Sequence, residues 1–89
     1  NATVTATGSF IVVDTFSGTT ASVDNILLDG YTTIPDGTML FVTAQSSNTI
    51  TFTETGNINL DGSPKSVTTN NFINFIYNNA KWVYMSGSL

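Results

Sequence analysis

The sequence predicts an all-β domain, a small antiparallel β-sandwich or jelly-roll-like fold that works as an oligomer. Three observations carry this expectation. β-Branched and aromatic residues recur in runs of about five to eight, clusters of Gly, Asp and Asn separate the runs, and helix formers are scarce.

Taken in order, Thr3 to Thr7 alternates around Val4. Ser9 to Phe16 sets Phe10 and Val12 on one face and Ile11 and Val13 on the other, as in a strand buried on both sides. Val23 to Leu28 is a third run, ended by Asp29-Gly30. Ile34-Pro35-Asp36-Gly37 reads as a turn: Pro presets φ, Asp bonds the backbone ahead, and Gly accepts a positive φ. Thr38 to Ala44 follows as a strand, and Ser46-Ser47-Asn48 turns the chain into Thr49 to Thr53. There Ile50 and Phe52 face one way, and Thr49, Thr51 and Thr53 form a ladder of hydroxyls on the other. Asn57 to Leu60 carries Ile58 and Leu60 inward and is closed by Asp61-Gly62-Ser63-Pro64. Phe72 to Tyr77 and Lys81 to Met85 are joined through Asn78-Asn79-Ala80 as a tight hairpin, because Asn tolerates left-handed backbone. Seven or eight short strands of this kind point to a sandwich or small barrel-like roll.

Composition narrows the function. The 89 residues read as one β domain, 1–89, and a chain this short buries only roughly 60 to 65% of its unfolded surface. With no Cys and no His, neither disulfides nor a structural metal can brace it, which leaves oligomerisation. The chain starts at Asn1 without a charged-then-apolar leader and reads as a fragment of a longer one. Lys65 and Lys81 are its only basic residues against a net charge of −4, so phosphate recognition, and with it nucleic acid, is disfavoured. No apolar run exceeds four residues, so no membrane insertion is expected.

No catalytic constellation emerges. A nucleophilic Ser needs a base, and without His only a Lys could serve. Asp29, Asp36 and Asp61 each stand beside Gly, which is turn chemistry rather than a calcium loop, and nothing in the sequence brings Glu54 and Asp61 to the separation a glycosidase needs. The chain is therefore read as a non-enzyme with no metal and no cofactor. Tyr31, Trp82 and Tyr84 are the candidate ligand-binding residues, since exposed rings among amides and hydroxyls suit sugars; the competing reading packs Trp82 and Tyr84 into the sheet. Tyr31, in a turn, is expected to be exposed. Gly37 to Thr53 and Ser66 to Ala80 carry no charge and would invite aggregation as free edges, which again favours burial between subunits.

The stretch from Ile34 to Ser88 resembles modules of bacteriophage tail fibres and related virion appendages. The residues that carry the likeness are Ile34-Pro35-Asp36-Gly37-Thr38-Met39-Leu40-Phe41-Val42, Thr49-Ile50-Thr51-Phe52, Gly56-Asn57-Ile58-Asn59-Leu60, and Phe72-Ile73-Asn74-Phe75-Ile76-Tyr77 with Lys81-Trp82-Val83-Tyr84. The resemblance implies an extracellular virion protein, a homotrimer of a fibre, spike or decoration protein, with other virion proteins and a host surface glycan as partners, acting in particle assembly or host attachment. The alternatives are a carbohydrate-binding module of a secreted protein and a bacterial adhesin or pilus-type subunit at the cell surface.

Overall fold

The structure, a computed structural model, describes residues 2–8, 10–13, 20–45 and 49–87. Among them no helix forms, and so none is long and apolar enough to cross a membrane. The strands are β1 (Ala2–Ala6), β2 (Phe10–Val13), β3 (Thr20–Leu28), β4 (Met39–Ala44), β5 (Thr49–Phe52), β6 (Ile58–Asn59), β7 (Lys65–Val67), β8 (Ile73–Asn78) and β9 (Lys81–Gly87). They build two sheets, ordered β1-β3-β5-β7 and β2-β4-β8-β9-β6, that enclose one hydrophobic core. Ser9, the Asp14 to Phe16 end of the second run and the Ser46-Ser47-Asn48 turn lie outside the described residues.

The all-β sandwich is as the sequence predicts, but its pairing is mixed rather than antiparallel throughout. β1–β3, β3–β5, β2–β4 and β6–β9 are parallel, whereas β4–β8, β5–β7 and β8–β9 are antiparallel. The cause is the path of the chain. From β1 to β8 each strand lies in the opposite sheet from the one before it. A chain that crosses to the other sheet and returns lays its next strand in the same sense beside the last, so β1 to β5 wind as stacked two-sided rungs. This is the path of a β-coil rather than of a jelly roll. At the far end β7 and β8 reverse direction against β5 and β4 and close the winding.

Alternation builds the core. In β4, Leu40, Val42 and Ala44 are buried while Met39, Phe41 and Thr43 face outward, and in β5 Ile50 and Phe52 are buried beneath the Thr ladder. Phe52 of the first sheet meets Phe75 of the second edge to face, ring centroids 5.4 Å apart. In β3 both Val23 and Ile26 are buried, a spacing that plain alternation forbids. The register explains it: Ala2 lies opposite Val23 but Thr3 opposite Asn25, so Asp24 is the extra residue of a bulge. The loop after β5 uses that bulge. Thr53 N donates to Val23 O (3.0 Å), Thr55 Oγ1 donates to Asp24 Oδ2 (2.7 Å), and Gly56 runs so close that a Cβ would collide with the Asp24 carbonyl.

Asn57 then ties the sheets together. Its Oδ1 accepts from Ile26 N (2.8 Å) and its Nδ2 donates to Ile26 O (2.7 Å), so a side-chain amide takes the place of a neighbouring strand. Its own carbonyl accepts from Trp82 N (2.7 Å), and Trp82 Nε1 donates to Ile26 O (3.1 Å). The two expected turns form as read. Thr38 N and Thr38 Oγ1 both donate to Pro35 O around Gly37 at φ 92, and Asn79 and Ala80, at φ 53 and 66, form the two-residue hairpin between β8 and β9.

Candidate functional site

Three charged groups hold backbone atoms. Asp36 Oδ1 accepts from Asn79 N (3.2 Å), which locks the Pro35-Asp36-Gly37 turn to the β8–β9 hairpin, and Glu54 Oε2 accepts from Leu60 N (2.7 Å). Lys81 Nζ donates to Gly56 O (3.3 Å), and Lys65 Nζ stands 5.1 Å from the centre of the Tyr84 ring. Asp29, Asp36 and Asp61 occupy separate turns, and no group of three acidic or metal-ligating side chains gathers among the described residues.

The aromatic candidates do not form one site. Trp82 is 0% exposed, with its indole N–H spent on Ile26 and its ring packed 5.0 Å from Tyr77. As a ligand platform it is corrected to a core residue, because its position in β9 faces the opposite sheet. Tyr84, two residues on and on the same face, is half-buried against the core, with Lys65 Nζ over its ring. Tyr31 is 56% exposed in the turn that follows β3, as expected.

The structure instead builds an open groove of about 400 Å³ on the outer side of the second sheet, lined by Phe41, Thr43, Thr69, Asn70, Asn71 and Phe72. Phe41 reaches it because odd positions of β4 face outward, and Phe72 because it stands at the entrance to β8 beside that strand. The rings lie 6.1 Å apart and tilted by 41°. The loop between β7 and β8 is held rigid beside them: Thr43 Oγ1 donates to Asn71 O (2.7 Å) and to Thr68 O (3.2 Å), and Asn71 Oδ1 accepts from Thr68 N (2.6 Å). Asn74, opposite Phe41 in the register, is 7% exposed, and its Oδ1 has no partner among the described residues.

Sequence reasoning passed over this groove because it weighed only Tyr and Trp as ligand-binding rings. The available signal was the alternation of β4, which puts Phe41 on the face opposite Leu40 and Val42. No known family model, curated protein or solved structure matches this chain.

Proposed function

We propose that the chain is a structural domain of a virion appendage, a phage fibre, spike or decoration protein, that acts as a homotrimer in particle assembly or host attachment. The observation that carries this reading is the winding of β1 to β5 into stacked rungs, closed by the antiparallel strands β7 and β8, with Trp82 buried beside the turn of the β8–β9 hairpin. Such a path stacks strands alternately in two sheets, which is a mechanical rather than a chemical design. The residues that carry the resemblance also work as one unit. The Pro35-Asp36-Gly37 turn is bonded to the hairpin through Gly37 N to Tyr77 O (2.8 Å), and the Gly56-Asn57 segment is bonded to Trp82. The absence of charge from β4, β5 and β8 suits burial against other copies or other virion proteins.

Light scattering across a dilution series tests the proposal. The expected result is a stable species of three chains of 9.5 kDa each. A monomer at every concentration would overturn it.

A further inference from the structure

We propose that the groove between Phe41 and Phe72 binds a neutral saccharide. A pyranose is amphipathic in a particular way: its two faces carry C–H groups, and its rim carries hydroxyls. The groove matches both halves. Phe41 and Phe72, tilted by 41°, offer apolar ring surfaces at an angle to one another, and Phe72 is 37% exposed. Thr69 and Asn70, both exposed, supply a hydroxyl and a carboxamide at the edge, and among the described residues no hydrogen bond engages either side chain.

Charge selects the class of ligand. None of the six described residues that line the groove is ionisable, so among the described residues an anionic phosphate or a basic peptide finds no counter-charge there. A wholly apolar ligand would leave the amide rim stripped of water without replacement, at a cost in affinity. A neutral polyol ring meets both requirements. The volume of about 400 Å³ falls in the range of small-molecule sites. The Thr43, Thr68 and Asn71 bonds hold the loop in place before any ligand arrives, which removes part of the ordering cost of binding. The proposal does not depend on the oligomeric state.

The test is an NMR titration of the chain with maltotriose, cellotriose and chitotriose, with sialyllactose and glucose 6-phosphate as charged controls. The expected result is that at least one neutral sugar shifts the Asn70 and Asn71 amide signals with a dissociation constant of about 1 mM, and that the charged controls do not. Phe72→Ala and Asn70→Ala should each weaken binding by roughly tenfold with circular dichroism and solution mass unchanged. No shift with any neutral sugar at about 10 mM would overturn the proposal, as would equal binding by both variants. So would a change of mass in Phe72→Ala, which would assign the groove to subunit contact instead. A monomeric wild type that binds the sugar would sink the homotrimer and leave this site standing.

Discussion

Asn57 shows how much a single residue settles in this molecule. Its carboxamide satisfies both backbone groups of Ile26 at the point where β5 has already left β3. Asn57→Ala leaves Ile26 N without its partner, while Ile26 O keeps the Trp82 indole N–H, and the expected loss is about 2 kcal/mol of stability, read as a lower urea midpoint with an unchanged slope. Some residue roles were legible in the sequence and others were not. The turns at Pro35-Asp36-Gly37 and Asn79 could be read because the backbone conformation they need, a preset φ at Pro35 and a positive φ at Gly37 and Asn79, is a local property, although the bond from Asn79 N to Asp36 Oδ1 that joins them was not legible. Asn57 could not, since its partner is Ile26, and neither could the fate of Trp82, whose indole N–H is spent on the same distant carbonyl.

Among the elements, the strands were legible and their sheets were not. Alternation of apolar and polar residues marks each strand's inner face but says nothing of which sheet it joins, so the sequence points to an antiparallel sandwich whereas most of the connections cross between the sheets. β7 escaped notice because Lys65-Ser66-Val67 is too short to alternate visibly. Successive rungs also differ in length: Val4 lies opposite Ile26, Phe10 opposite Phe41 and Thr20 opposite Thr49, so no sequence repeat betrays the winding. Among the described residues the β8–β9 hairpin is the one place where strands adjacent in sequence pair directly, and it contains a strained residue. Ala80 sits at φ 66, where a Cβ is disfavoured. Ala80→Gly is expected to raise stability by about 0.5 kcal/mol, measurable as a higher thermal midpoint.

For the molecule as a whole, the expected sandwich is present and the groove on its outer side is the feature that the residue list did not announce. Its two walls come from β4 and from the loop between β7 and β8, segments far apart in the chain that only the finished topology brings together. The winding has a further consequence, and it is kinetic. Apart from the β8–β9 hairpin, every strand pairing joins residues well separated in sequence, so the chain must close long loops before most contacts reward it. Folding is expected to start at that hairpin and to recruit the rungs afterwards, with β1 and β2, which lie at the sheet edges, docking last. Trp82 reports core closure as the sole tryptophan, and stopped-flow refolding should show its fluorescence settling over milliseconds to seconds rather than microseconds. Until the last rung docks, the nascent domain carries unpaired edges on both sheets, which makes synthesis rate and chaperone access as decisive for its yield as its final stability.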